Sequence, residues 1–474
     1  MFLHLAWGRP GMDLPRRTVR GSLAALVIIS AATLVGGYVE AELANDRVSG
    51  DPGVERAFRT GDRSPVVPPR ENVTVVTTDS NAVVTDERDA PRARAELVAF
   101  APDGRIHYYE NRHTRYWDVD PVPGTTATVE FVYADHLDPS ECSGGAACTR
   151  NGVERVNLTT GERRAIYSRI TPGKHSTRWH DVDRIGADRL LVADIARDRV
   201  FVANTTTGLV EWAWDARTDY DVRSGGSFPD DWTHLNDVEL VEIGGREAVM
   251  VSLRNHDQVV FVDVERGLVE NWTLGADDRH GVLYEQHNPD YVPPEAGGPA
   301  VLVADSENGR VVEYRRENGT WVRSWSWTDD RLRWPRDADR LPNGHTLVTD
   351  SNGDRVLEVD TNGTVVWTAT VGFPYEAERL GTGAESTGGE SAAALDLSDA
   401  QPTADDPSAL ERIEAALPPK LVNAVAYLFP RWVGGPEAVA ALALLVATPW
   451  WIALEYRWTD RSVTVRWPLG FDRE

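Results

Sequence analysis

The stretches RWHDVDRI (Arg178–Ile185), HLNDVELV (His234–Val241), HNPDYV (His287–Val292) and WPRDADRL (Trp334–Leu341) share one frame. Each leads into an apolar run that ends in a polar turn: LLVAD, AVMVSLRN, AVLVADSENG and HTLVTDSNG. A second apolar run follows (RVFVAN, QVVFVDV, RVVEY, RVLEV), then a Trp-rich one (LVEWAWD, LVENWTL, WVRSWSW, VVWTATV). The shared Asp stands at Asp181, Asp237, Asp290 and Asp337, at spacings of 56, 53 and 47 residues. Period and strand content are those of a propeller blade. Two weaker periods come first. One contains ELVAFAPDGRIHYYE and ends near RYWDVD; the other contains ATVEFVYAD and GVERVNLTTGERRAIYSRI. Residues 72–375 are therefore expected to form an all-β, six-bladed β-propeller, with NVTVVTTDS (Asn72–Ser80) as the candidate strand that closes the ring onto the last blade. The turns PDG, PNG, SNG and TNG supply the Gly and Asn that hairpins need at positive φ.

The flanks differ from the repeat. Residues 22–39 (SLAALVIISAATLVGGYV) follow Arg16, Arg17 and Arg20 and are long enough for a transmembrane helix or signal anchor. A cleaved signal peptide is the alternative. Residues 438–456 form a second expected span, with Arg457 and Arg461 beyond it. Residues 1–21 and 457–474 are then cytoplasmic, which puts the propeller on the extracellular face of the cell membrane. Residues 40–71 read as a Pro-rich linker, 376–406 as a disordered acidic linker, and 407–430 as an amphipathic helix. That helix carries Leu410, Ile413, Leu417, Leu421, Val425 and Leu428 and is suited to the membrane surface or the second span.

Of 474 residues, 74 are acidic and 49 basic, a net charge of -25, and only Lys174 and Lys420 are lysines. Such a surface stays hydrated at molar salt, where ions screen its self-repulsion, and it argues against a nucleic-acid partner. Cys142 and Cys148 are the only cysteines; they suit a local disulfide or are two free thiols. Sequons at Asn72, Asn157, Asn204, Asn271, Asn318 and Asn362 are glycosylation candidates, though such triplets also arise by chance in turns.

The repeat gathers chemistry at one end of the channel. His234 and His287 share a column of the frame, and His180 and Asn236 the next. Arg254 follows the second run of the His234 blade; Lys174, His175 and Arg178 precede His180. A cationic, imidazole-rich mouth in so acidic a chain suits sulfate, phosphate or a carboxylate. Any one of these histidines is as often a structural hydrogen-bonding group. His107, His113, His136, His256, His280 and His345 fit strands or turns. No HxH or HExxH spacing supports a metal, and DSENG (Asp305–Gly309) and DSNGD (Asp350–Asp354) lack the full calcium-loop pattern, so no metal is expected. The blade-end tryptophans suit packing between blades.

The segment WPRDADRLPNGHTLVTDSNGDRVLEVD (Trp334–Asp360) resembles the repeat of the arylsulfate sulfotransferase family, six-bladed enzymes independent of the PAPS nucleotide donor. The resemblance spans Glu96–Phe373, and its telling parts are HLN (His234–Asn236), SLRNH (Ser252–His256) and QHN (Gln286–Asn288). It implies that His287 carries the sulfuryl group. His234, Asn236 and Arg254 would bind and polarise the sulfate oxygens, and His180 would be a further active-site histidine. Arg178 and Arg336 join the substrate-binding candidates. The implied partners are a small aryl sulfate donor and a phenolic acceptor, with no cofactor. The chain departs from the bacterial members in lacking a separate N-terminal β-sandwich and in having two spans, as a membrane-anchored haloarchaeal type would. Asn255 before His256 leaves the register of Arg254 open by a residue. The competing class is a non-catalytic surface propeller binding glycans, anions or envelope proteins. A quinoprotein-like dehydrogenase is disfavoured, since no repeated Trp-docking motif is present.

Overall fold

The inner strands of six sheets, five of four strands and one of five, line a common channel, and each meets its neighbours in the ring. The protein is described from a computed structural model covering residues 16–44, 52–79, 95–174, 177–383, 388–401, 418–429 and 432–458. Blades 2, 3, 5 and 6 start at their inner strands, Arg115–Pro121, Trp179–Arg184, His287–Val292 and Pro335–Arg340. Blade 4 starts with Leu235–Ile243 and breaks its outer edge into Gly267–Leu268 and Leu274–Gly275. Blade 1 joins both ends of the propeller. Its inner strand is Pro374–Arg379, and Thr74–Thr78, Glu96–Phe100 and Ile106–Glu110 follow outward.

This arrangement moves two expected boundaries. RYWDVD does not end the first repeat; it is the inner strand of blade 2, and its Asp118 aligns with Asp181. The propeller does not stop at residue 375 either, because PYEAER (Pro374–Arg379) closes the ring by pairing with Thr74–Thr78. Asn72–Ser80, within its described part, does supply the partner for that closure, but in blade 1 and not on the last blade, since the chain's last inner strand comes back to it.

The shared acid explains the repeat. Asp118 accepts from the backbone N–H of Val182 at 3.2 Å, Asp181 from Val238 at 2.6 Å, Asp337 from Ala377 at 3.1 Å and Glu376 from Val119 at 3.3 Å. Each bond crosses to the next blade, so the column links the ring. The turn acids add a second set of links. Asp198, Asp257 and Asp354 accept from the backbone N–H of Thr233, Glu285 and Phe373, just ahead of the next inner strand. Asp305 and Asp350 pair with Arg310 and Arg355 five residues on. The DSENG and DSNGD turns are thus hairpin braces. The tryptophans bridge blades: Trp212 Nε1 donates to Val264 O at 3.0 Å, Trp321 to Trp272 O at 2.7 Å and Trp327 to Gly363 O at 3.0 Å. Trp117, Trp179, Trp232 and Trp327 are the largest fully buried side chains, each stabilising the fold by about 3 kcal/mol or more through apolar burial.

Two expected linkers are packed. Residues 52–60 form a short helix, α2 (α1 being Arg16–Ala44), and Val54 and Val67 are buried against blades 1 and 6. In the stretch 376–406, Ser391 and Ala392 are buried, Ala392 N–H donates to Glu313, and Ala400 bridges to Trp327. Residues 384–387 and 402–417 lie outside the described residues, and with them Leu410, Ile413 and Leu417. Of the expected amphipathic helix, Pro419–Leu428 (α3) is described. Cys142 and Cys148 are disulfide-bonded. Asn204 is unsuited to glycosylation, because it is buried and its amide donates to Asp188 and Glu211. Asn72, Asn271, Asn318 and Asn362 are exposed and Asn157 is half-buried.

α2 and α3 belong to the unit of the propeller, while the first and last helices form a separate one. In it α1 runs past the expected 22–39 and pairs antiparallel with α4 (Gly435–Trp458). Arg20 binds Glu455 at 2.5 Å, joining the start of α1 to the end of α4. Both helices are long and apolar enough to cross a membrane.

Candidate functional site

A cavity of about 270 Å³ opens at the end of the channel where the inner strands begin. His180, His234, His287, Arg178, Arg254 and Arg336 line it, from blades 3 to 6. The frame therefore does bring together histidines that are distant in sequence. Three further lining groups were not singled out by sequence reading: Trp117 and Trp334 at blade starts, and Asp79 at the end of Thr74–Thr78, the second strand of blade 1. His175 lies outside the described residues.

The turn braces set the histidines. Asp198 holds Thr233, and the next residue, His234, takes φ 44, in the left-handed region that L-residues rarely occupy. Trp334 has the same character at φ 65. Both turn a side chain into the mouth just before the strand begins.

His287 has a defined tautomer. Its Nδ1 lies 3.1 Å from the Glu285 carbonyl and 2.8 Å from Ser306 Oγ. Ser306 Oγ donates its one proton to Pro335 O at 2.6 Å, so towards His287 it accepts. Both partners are acceptors, hence Nδ1 carries the proton and Nε2 keeps its lone pair. Burial pushes the imidazole well below its ordinary pKa, and Arg336, Arg254, His234 and His180 push the same way. His287 is a neutral imidazole beside Arg336 and Arg254.

His234 differs. Asp231 Oδ1 lies 2.6 Å from its Nδ1, which leaves Nε2 as the acceptor here too. Burial lowers its pKa, and Asp231 opposes that. A carboxylate-backed imidazole is a proton acceptor whose cationic form is stabilised. His180 stands between, 5.0 Å from the His234 ring, stacked on Trp117 at 4.2 Å, with Nδ1 3.1 Å from Tyr375 Oη. Burial holds it well below the ordinary value as well.

The arginines keep donors unspent. Among the described residues, Arg178 Nε, Arg254 Nε, and Arg336 Nε and Nη1 have no hydrogen-bond acceptor. Arg336 is buried, 4.3 Å from the Trp334 ring and 4.9 Å from that of Tyr375, with Asp79 Oδ2 3.7 Å away. Arg254 binds Glu285 and Asn255 and lines the cavity. Buried guanidinium groups with free N–H are costly unless an anion completes them.

Asn236 departs from expectation. It is buried outside the cavity lining, and its Nδ2 donates to Gln286 O at 3.0 Å, tying blade 4 to blade 5. α3 lies across the mouth: Lys420 binds Glu285, Asn423 donates to Glu307 at 3.1 Å, and Tyr427 meets Trp334 edge-on at 5.7 Å. Lys420, Asn423, Ala424 and Tyr427 recur at helical spacing on one face and line the cavity. The opposite face shows Leu421 and Leu428 to the outside. The apolar stripe pointed sequence reading towards a membrane; the face used here is the polar and aromatic one.

No family model matches the chain, and no curated protein matches it in sequence. Solved structures similar to it include a Bacteroides caccae protein of unknown function, at 12% identity and TM-score 0.41, covering 65% of this chain and 98% of the other. The Pseudomonas aeruginosa periplasmic gluconolactonase PpgL is similar at 12% identity and TM-score 0.39, covering 66% and 99%. A Lactobacillus plantarum protein is similar at 11% identity and TM-score 0.40, covering 65% and 98%. Likenesses this distant bear on neither activity nor substrate.

Proposed function

We propose that the protein is a membrane-anchored, nucleotide-independent sulfotransferase that moves a sulfuryl group from an aryl sulfate to a phenol. The observation that carries this reading is His287: a neutral imidazole whose Nδ1 proton is fixed by two acceptors, in a cavity where three arginines hold unspent N–H donors. A binding propeller needs the arginines but not the oriented nucleophile. Trp117, Trp334 and Tyr427 supply flat walls for aryl rings.

In the first step His287 Nε2 attacks sulfur, the S–O(aryl) bond breaks, and the phenolate leaves with the electron pair. Arg254, Arg336 and Arg178 meet the charge on the sulfuryl oxygens. In the second step the acceptor phenol attacks sulfur, the N–S bond breaks, and His234 Nε2 takes the phenolic proton. The disulfide and the two apolar helices support placing the propeller outside the membrane.

The test is 4-nitrophenyl sulfate with full-length protein in molar salt. A nitrophenolate burst of one equivalent is expected, with turnover accelerated by added phenol and a sulfuryl adduct on His287 by mass spectrometry. No release from folded protein would leave the binding propeller as the better reading. Asp231→Asn separates the two steps: the burst is expected to survive while steady-state turnover falls about 100-fold, the loss of a general base. Equal loss of both phases would remove His234 from the proposed role.

A further inference from the structure

A second cluster lies away from the channel, where blade 1 meets blade 2. Glu110 ends the outer strand of blade 1, His113 follows in the connecting loop, and Glu154 comes from Cys148–Asn157 in blade 2. One ligand atom from each lies within 4.8 Å of the others. We propose that Glu110, His113 and Glu154 bind a divalent transition-metal cation, with Zn2+ as the best match, which staples blade 1 to blade 2.

The second observation is the imidazole. His113 is 6% exposed and its ring stacks on Tyr133 at 3.7 Å. Asp135 Oδ2 sits 3.1 Å from Nδ1. A carboxylate accepts, so Nδ1 holds the proton, and the ring in its neutral form presents a lone pair at Nε2. That Nε2 is buried and has no hydrogen-bond partner; Glu154 Oε1 is 3.7 Å away, too far for a hydrogen bond. Two atoms bonded to one Zn2+ at about 2.0–2.1 Å each sit between about 3 and 4 Å apart.

The surroundings repeat the pattern of a supported metal site. Asp135 behind His113 orients the ring and raises its basicity. One oxygen of each carboxylate is already held. Glu110 Oε2 accepts from Tyr108 Oη at 2.7 Å and Arg163 Nη1 at 2.9 Å, and Glu154 Oε2 accepts from Arg112 Nη2 at 2.7 Å. Glu110 Oε1 has only the long bond from Tyr116 Oη, at 3.2 Å. The donor set is one imidazole nitrogen and two carboxylate oxygens. It favours Zn2+ over Ca2+ and Mg2+, which take oxygen alone. The competing occupant is a proton on Nε2, which would make the cluster an ion-pair network with Arg112 and Arg163.

Full-length protein stripped with EDTA and dialysed into molar salt at pH 8 would be titrated with Zn2+, then with Co2+ as the coloured probe. One equivalent retained through gel filtration, a raised Tm and a Co2+ visible spectrum are the expected results. Uptake should persist in His287→Ala, which separates this site from the channel histidines. It should weaken at least about tenfold in Glu154→Gln and about 10–100-fold in Asp135→Asn, the loss seen when an outer-shell partner goes. Failure of wild-type protein to retain Zn2+ or Co2+ overturns the proposal without any variant having to fold. So does uptake indifferent to both substitutions, or an imidazole 15N spectrum at pH 8 with His113 protonated at both nitrogens.

Discussion

His287→Ala is expected to abolish sulfuryl transfer from 4-nitrophenyl sulfate, by at least about 10⁴-fold, and to remove the burst as well as the turnover. The size follows from the role. Without Nε2 there is no covalent intermediate, and no neighbour replaces it. His234 is bound to Asp231, and His180 is held by Tyr375 and Trp117. The arginines remain, so sulfate affinity measured by calorimetry should change less than about threefold. That pairing of readouts matters, because a binding site that had merely collapsed would lose both. Arg336→Ala should do the reverse, weakening sulfate and slowing both phases by about 10²–10³-fold, the usual cost of one oxyanion donor. A His287→Ala protein that keeps more than about 1% of wild-type turnover would remove the sulfohistidine from the mechanism.

Thermal stability is expected to fall as pH rises from 6.5 to 8.5, by at least about 5 °C in Tm. The cause is below the cavity. Asp118, Asp181, Asp237, Asp290, Asp337 and Glu376 stand at matching positions of the six inner strands. Asp120, Asp183, Glu239, Asp339 and Glu378 lie two residues further on, on the same face. Burial raises Asp337 to about 7; burial, with repulsion from neighbouring acids adding to it, raises Asp181 and Glu239 to about 8 and Asp118, Asp237, Asp290, Asp339 and Glu376 well above the ordinary value. The unfolded chain ionises them near pH 4, so between that pH and each raised value the folded state binds the extra protons. Stability therefore falls with rising pH across that window. Each group loses about 1.4 kcal/mol per pH unit inside it, before relaxation and counter-ions reduce the sum. The channel histidines His180, His234 and His287, held below their ordinary value, oppose this change only at the start of the window, where the unfolded chain still binds part of a proton at each. Asp237→Asn should flatten the curve and raise Tm at pH 8.5. Equal Tm values at the two pH values would mean that the column is not held by protons.

The ring was readable where the repeat was strongest. Four frames showed themselves through an invariant Asp and a Trp-rich last run. The remaining two inner strands hid for physical reasons. RYWDVD matches RWHDVD closely, but its blade has long strands with the disulfide loop between them, which masked the period. PYEAER has Glu where the others have Asp and belongs to a blade whose other strands begin about 300 residues earlier, at Thr74. The cavity was legible in its histidines and in Arg254. Asn236 was misplaced because its column position was right but its amide is spent on the neighbouring blade. Lys420 and Tyr427 were not legible as site residues, since only tertiary packing decides which face of α3 meets the mouth.

Blade 1 carries a consequence for biogenesis. Its inner strand is the last of the ring to be synthesised, and until Pro374–Arg379 arrives the outer three strands of that blade wait with an open edge. The same strand brings Tyr375, which anchors His180 and faces Arg336. A nascent or truncated chain ending before residue 374 would present five complete sheets and an unfinished pocket. Assembly of the pocket is thereby tied to completion of the circle, and on the proposed function a chain that stalls early would be inert rather than partly active.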